Sequence, residues 1–231
     1  MRERLKEIRR TLRLPASRFL AFRRLAQYHA RPRTIEDTVD WAMNFGRYGH
    51  LTVLTMQVRD EITALARAVA ALEPRIILEI GTAKGGTLLI WSRLAARKVV
   101  SCDLVHHPAR KRLLEALPPP GSRCEVRLLT GDSHDPAFRR GVQAELGGDL
   151  ADFLFIDGDH TERGVAADFR DYGGFVRPGG LVAFHDIAEN QPLETNQVQR
   201  FWRTIRDRYP SEEFIADRGQ CGFGIGVIRV P

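Results

Sequence analysis

Asp103, Asp132, Asp157, Asp159, His160, His185 and Asp186 all stand at or just beyond the ends of short apolar runs, KVVSC, VRLLTG, DFLFI and LVAF. A carboxylate accepts hydrogen bonds from sugar hydroxyls and from an exocyclic amine. An imidazole three residues from an aspartate can take a proton, and the same two residue types can hold a divalent cation. Any one such aspartate reads equally well as a turn former or helix cap, and Asp135 ahead of Pro136 and Asp159 ahead of Thr161 read that way. Repetition decides the matter. Open α/β sheets bind ligands outside the carboxyl ends of their strands, so polar residues at four successive strand ends belong to one crevice.

A second chemical signal lies upstream in LEIGTAKGGT, Leu78 to Thr87. Three apolar residues, Ile76 to Leu78, lead through Glu79 into Gly81 and the pair Gly85-Gly86, and an apolar LLIW follows. A strand that passes through glycines into a helix brings backbone N–H groups close to a ligand without Cβ clashes, which makes a cradle for a nucleotide-type molecule. Asp103 closes the next strand roughly twenty residues on, where a carboxylate would accept from ribose hydroxyls.

The elements that must position these residues alternate. A helix over Gln57–Leu72 is stopped by Pro74, and strands and helices then follow in turn to an RPGG turn, a fifth strand LVAFHD and a helix over Asn196–Tyr209. The end of the chain, EEFIA and then GFGIGVIRV, predicts a hairpin. Strands alternating with helices imply a parallel sheet covered on both faces. The expectation is an α/β fold, a Rossmann-like doubly wound seven-stranded sheet, mostly parallel with an antiparallel last strand, plus an N-terminal helical extension. The 231 residues, 43% of them hydrophobic, suit one such domain over 55–231 behind a basic helical extension and cap over 1–54.

In that extension Leu5, Ile8, Leu12, Leu14, Phe19, Leu20, Phe22 and Leu25 recur at helical spacing among arginines, which predicts two short basic helices interrupted at Pro15. Such helices dock on their own domain or on a second copy, giving a homo-oligomer, or lie on an anionic membrane surface. The net charge of +6 is concentrated there. Nucleic acid is not expected as a partner, because no aromatic-rich basic strand face accompanies the charge. Three cysteines without a C-x-x-C spacing fit reduced thiols and a cytoplasmic protein, and no apolar run reaches the length of a membrane span.

Together, the run Glu79 to Gly85, Asp103, GDS at Gly131 to Ser133, FIDGDH at Phe155 to His160, RPGG at Arg177 to Gly180 and the terminal GFGIGVIRV resemble a class I S-adenosylmethionine-dependent methyltransferase. More narrowly, they are similar to the small-molecule O-methyltransferases that include macrolide sugar methyltransferases and cephalosporin hydroxylase-like proteins. The likeness covers about residues 55–231 and departs from the usual E-x-G-x-G-x-G at Ala83. It implies S-adenosylmethionine as cofactor, held by Glu79, Gly81, Thr82 and Gly85 at its methionine part, Asp103 at the ribose, and Asp132 and Ser133 at the adenine. It implies a small-molecule hydroxyl acceptor, with His160 as base beside Asp157. In metal-dependent relatives the positions of Asp157, His185 and Asp186 hold a divalent cation. An imidazole at His185 leaves three readings open: a site without it, a softer ion than Mg such as Mn, or no metal. The rival functions are a non-catalytic cofactor-binding protein that docks on membrane or nucleic acid, and an RNA methyltransferase.

Overall fold

The computed structural model describes Thr11 and residues 13–231. The first of the two expected N-terminal helices lies outside the described residues. The second is α1, Leu14–His29, and Pro15 opens it rather than interrupting it, standing in the first turn where its missing N–H costs nothing. Helix α2, Ile35–Asn44, is capped by Thr34, whose side chain accepts from the Asp37 N–H. A 3-10 turn at Gly49–Leu51 then leads to α3, Arg59–Ala70.

From there the alternation is regular. β1 (Ile76–Ile80), α4 (Gly86–Leu94), β2 (Lys98–Asp103), α5 (Pro108–Glu115), β3 (Glu125–Thr130), α6 (Pro136–Leu146), β4 (Ala151–Ile156), α7 (Glu162–Tyr172), β5 (Val176–His185) and α8 (Val198–Ile205) lead to the terminal strands β6 (Ser211–Phe214) and β7 (Ile225–Arg229). The sheet order is β3-β2-β1-β4-β5-β7-β6. β1 to β5 pair in parallel, while β7 inserts between β5 and β6 and runs antiparallel to both. The expected RPGG turn is not a separate connection. Ala151 pairs with Val176 and Phe153 with Leu181, so Arg177 to Gly180 bulge within β5.

Side-chain alternation along the strands splits the core into two layers. Ile77, Val99, Phe153, Phe155 and Ala183 face α3 and α4 together with Ile62, Leu65 and Trp91. Ile76, Leu78, Ile80, Leu154, Val182 and Phe184 face the other way, onto Val142, Val165, Phe201 and Trp202. The N-terminal segment belongs to the first layer: Ala21, Leu25, Tyr28, Phe45, Leu51 and Val53 are buried in it. Its arginines are partly spent at home. Arg24 lies 3.7 Å over the Trp41 ring and donates to the Phe45 carbonyl, and Arg33 donates to the Tyr28 carbonyl. Phe19 and Leu20 on α1 remain exposed. Among the described residues no helix is long and apolar enough to cross a membrane.

The strand order reverses around β1, whose neighbours β2 and β4 carry the chain to opposite sides, and a crevice opens there at the carboxyl ends. α4 can start at that point only because Gly86 passes close to the Leu54–Thr55 backbone: a Cβ on Gly86 would stand 2.0 Å from the Thr55 nitrogen. Backbone atoms cannot yield as a side chain would. We expect Gly86→Ala to destabilise the fold by about 3 kcal/mol, the upper end for overpacking a core, as measured by urea denaturation.

Candidate active site

Beyond β1 the chain turns sharply. Gly81 has φ +104, and a Cβ there would stand 2.1 Å from the Asp157 carbonyl oxygen at the end of β4. The N–H groups of Gly81 and Thr82 both donate to the Cys102 carbonyl, at 2.8 and 3.2 Å. The Thr82 hydroxyl is buried between Ser101 and His106. Ala83 adopts φ +46, a left-handed conformation that costs a residue with a Cβ roughly 1–2 kcal/mol. Its N–H is held by Asp103 Oδ2 at 2.7 Å, and Arg110 donates to its carbonyl. Gly85, at φ +74, then caps α4.

Glu79 does not reach the crevice. It is fully buried beneath the turn, where its carboxylate accepts from the Trp91 indole at 2.9 Å and from the Ser101 hydroxyl. Burial pushes its carboxyl up to about 7 against the pull of the Ser101, Thr87 and Trp91 hydrogen bonds. The direct cofactor contact expected of it is therefore replaced by a role under the cradle, because its oxygens are already engaged inside the protein.

Two cavities adjoin at the strand ends. The first, of about 520 Å³, runs from Gly81 and Ala83 past Asp103 and Leu104 to Asp132, Ser133 and His134. Asp103 also accepts from the Val105 N–H, and Asp132 accepts from the His134 N–H, each turning its own loop. The Ser133 carbonyl accepts from the Tyr172 hydroxyl. The second, of about 370 Å³, lies on the opposite side of Asp157 and is lined by Met56, Gln57, His185, Asp186, Asn196 and Phe223 among others. Gly81, Ala83, Asp157 and His160 line both. A groove of about 600 Å³ along α1, between Leu14, Phe19 and Phe22, offers arginines but no acid, base or nucleophile.

At the shared wall Asp157, His160, His185 and Asp186 form one cluster. His185 Nδ1 is 3.0 Å from Asp157 Oδ1 and 3.4 Å from Asp186 Oδ1. His160 Nδ1 is 2.8 Å from Asp186 Oδ2, and its Nε2 is 3.4 Å from Asp157 Oδ1. Asp186 turns its carboxylate back into the cluster from a left-handed φ of +65. Sequence reasoning missed two further members: Gln57 Nε2 donates to Asp157 Oδ2 at 3.0 Å and Asn196 Nδ2 to Asp186 Oδ2 at 2.6 Å. Neither amide belongs to a motif, and only the folded chain brings Gln57 across 100 residues to Asp157.

Charge is balanced within the cluster. Burial alone would raise Asp157, but the His185 charge and hydrogen bonds from His160 and His185 hold its carboxyl well below the usual range. Asp186 is likewise lowered, by His160 and then His185, in spite of its burial. Hydrogen bonds to Asp157 and Asp186 push His160 up to about 10. His185 is raised too, since the Asp157 charge and hydrogen bond and the Asp186 charge outweigh its desolvation. The expected ion-binding set of Asp157, His185 and Asp186 does not fit a hard cation such as Mg. Imidazole and amide N–H groups occupy the inward-facing carboxylate oxygens, where such an ion would need free oxygen donors. Among the described residues no group of three or more His, Cys, Asp or Glu side chains is arranged to hold a metal ion.

Residues 78–187, from the middle of β1 through β5 and including Asp157, His160, His185 and Asp186, match a family model described as a methyltransferase domain. The fold of the chain is similar to the O-methyltransferase of Bacillus cereus in complex with S-adenosylhomocysteine, at 17% identity and a TM-score of 0.60 over 88% of this chain and 94% of that one. The O-methyltransferase TomG of Streptomyces achromogenes, involved in tomaymycin synthesis and solved with S-adenosylmethionine, aligns at 17% identity and a TM-score of 0.57 over 87% and 92%. The MycE methyltransferase of the mycinamycin biosynthetic pathway, solved with Mg, S-adenosylhomocysteine and mycinamycin VI, aligns at 18% and 0.51 over 72% of this chain and 48% of its own. At these identities the likeness is one of fold. No curated protein matches the chain at a significant level.

The His160 proton is a direct readout of the cluster. Its folded pKa of about 10 lies above the ordinary 6.5, so the folded chain keeps a proton that the unfolded chain releases. The resulting stabilisation is complete below pH 6.5 and is lost as pH rises towards 10. We expect NMR titration to find His160 protonated well above neutrality, and Asp186→Asn to move its midpoint down. An unchanged midpoint in that variant would show that Asp186 does not hold the proton.

Proposed function

We propose that this methyltransferase domain moves a methyl group from S-adenosylmethionine to a hydroxyl of a small-molecule acceptor. The observation that carries the reading is the pair of adjoining cavities whose common wall is Gly81, Ala83, Asp157 and His160. A non-catalytic binding protein has no need of a second chamber with an acid and imidazole cluster between the two.

The first cavity suits the donor. Gly81 lets the turn cross the Asp157 backbone, so that it and Ala83 line this cavity as the cradle for the methionine part, with Thr82 and Gly85 shaping the turn. Asp103 stands at the end of β2 to accept from ribose hydroxyls, and Asp132 and Ser133 flank the adenine end. When bound, S-adenosylmethionine supplies a methyl group on a sulfonium, already activated for displacement. The protein's remaining work is to hold the acceptor oxygen in line and remove its proton. Leu54, where the N-terminal extension over 1–54 meets a core that spans 55–231, lines the second cavity together with Thr55 and Met56 of the core, so the extension serves as a cap on the acceptor side.

His160 is the base in this reading. Asp186 accepts from its Nδ1 and orients the ring, while its Nε2, in long contact with Asp157, lies at the wall shared by both cavities. An imidazole that holds its proton so firmly accepts another only after losing the first. Turnover therefore rises with pH from neutrality towards 10. The carboxylates act on the imidazoles, and no step passes through a metal ion. The fold relatives from tomaymycin synthesis and the mycinamycin pathway support an acceptor of natural-product type.

Two measurements test the reading. Calorimetry should show micromolar S-adenosylmethionine binding, weakened in Asp103→Ala by about 1–3 kcal/mol through lost hydrogen bonds; preference for a nicotinamide dinucleotide would overturn it. In methyl transfer, His160→Ala should lower turnover on the order of 10² to 10⁴-fold, the usual worth of a general base, while exhaustive chelation leaves the wild type active. Loss of activity on chelation, restored by Mg or Mn, would return the metal to the mechanism.

A further inference from the structure

Helix α1 docks through one face and leaves the opposite face bare. Ala21, Leu25 and Tyr28 are buried against the core, and Arg24 is engaged at Trp41 and Phe45. On the other side Leu14, Arg18 and Phe22 form one row at four-residue spacing and Pro15, Phe19 and Arg23 the next, so the two rows lie side by side along the helix. The groove of about 600 Å³ runs over them. Phe19 is 67% exposed and its neighbour Leu20 45%. None of these residues lines either cavity at the strand ends.

The charge on this face is of one sign. From Ile8 to Ile35 the sequence holds no aspartate or glutamate. Arg24 and Arg33 donate to backbone carbonyls, whereas the side chains of Arg18 and Arg23 have no ion-pair or hydrogen-bond partner among the described residues. An occupant of this face must therefore take a phenyl ring and a leucine out of water and answer positive charge at once. A second copy of the chain does only the first, because a two-fold contact sets a patch against itself and would bring Arg18 and Arg23 onto their own counterparts. A nucleic acid does only the second, since its phosphates answer the arginines but offer no apolar phase to Phe19 and Leu20. An anionic lipid surface does both, with phosphates at the level of the guanidiniums and glycerol and acyl groups beneath them.

We propose that the outer face of α1 seats the protein on an anionic membrane surface, with Arg18 and Arg23 on lipid phosphates and Phe19 and Leu20 in the interfacial layer. The helix lies along the bilayer and does not cross it, in keeping with its buried stripe on the core. This surface is independent of the chemistry at the strand ends and stands or falls apart from the methyl-transfer reading.

The test is flotation of the full chain with lipid vesicles. The probes are vesicles of phosphatidylcholine alone and vesicles in which about a third of that lipid is replaced by phosphatidylglycerol. We expect binding to the anionic vesicles that is at least about tenfold tighter than to the neutral ones and that weakens as salt is raised. Arg18→Gln with Arg23→Gln should lower it on the order of 25-fold, about fivefold for each arginine. Phe19→Ser should lower it roughly tenfold through lost apolar burial. Both variants should melt as the wild type does, because the altered side chains face solvent. Equal binding to the two kinds of vesicle, binding to neither, or binding that survives both sets of substitutions overturns the proposal. A dimer in sedimentation that Phe19→Ser separates, with no vesicle binding, would give the face to a second copy and overturn it as well.

Discussion

The close passage of Gly81 over the end of β4 is the contact on which the crevice depends. Parallel strands β1 and β4 are neighbours in the sheet, and the chain leaving β1 must cross the Asp157 backbone to reach α4. It does so at a distance that excludes a Cβ, with a backbone conformation that favours glycine. The same crossing holds Asp157 at the partition, because its N–H donates to the Ile80 carbonyl at 2.8 Å. One turn thus shapes the first cavity on one side and presents a carboxylate to the second on the other. Asp103 reinforces it from β2, holding Ala83 in a conformation that alanine would otherwise leave.

Electrostatics supply the second constraint. Two carboxylates buried at adjacent strand ends would each cost several kcal/mol if left alone. Here they share two imidazoles and two amide N–H groups, so the cluster is close to neutral when both histidines carry protons. That arrangement does structurally what a divalent cation would do for a set of carboxylates. It also sets the chemical poise of the site: His160 is a strong base whose strength is available only once its proton has left. The left-handed Asp186 is part of the same arrangement, since strain of this kind persists where surrounding bonds over-determine it. Asn196 and the Gln191 amide, which donates to the Asp186 carbonyl, supply those bonds.

The N-terminal segment shows how a basic amphipathic stretch resolves in context. Its inward stripe, Ala21, Leu25 and Tyr28, joins the same core layer as Trp91 and Phe153, and the backbone of Thr55 bonds Ala42. Arginines that look surplus in the sequence stack on Trp41 and bond loop carbonyls, consistent with the guanidinium's affinity for aromatic faces. The segment therefore arrives at the second cavity already anchored, which is what allows Gln57 to be held at Asp157.

Local pattern determined much of this protein. Continuous apolar runs bounded by polar residues marked β1 and β4, because strands buried on both faces need no alternation, and the terminal GFGIGVIRV marked the antiparallel one. The placing of Asp103, Asp132, Asp157, His160, His185 and Asp186 at strand ends followed from that pattern together with parallel topology, which puts those ends on one side. Tertiary structure alone decided the rest. It buried Glu79 under the turn, since a residue one step before the strand's end follows the sheet's alternation rather than the motif's chemistry. It folded RPGG into β5 as a bulge and slid β7 between β5 and β6, choices made by cross-strand pairing over long separations. It also set each carboxylate against an imidazole rather than an ion and recruited Gln57 and Asn196, because hydrogen bonds between residues so distant in sequence leave no trace in local spacing.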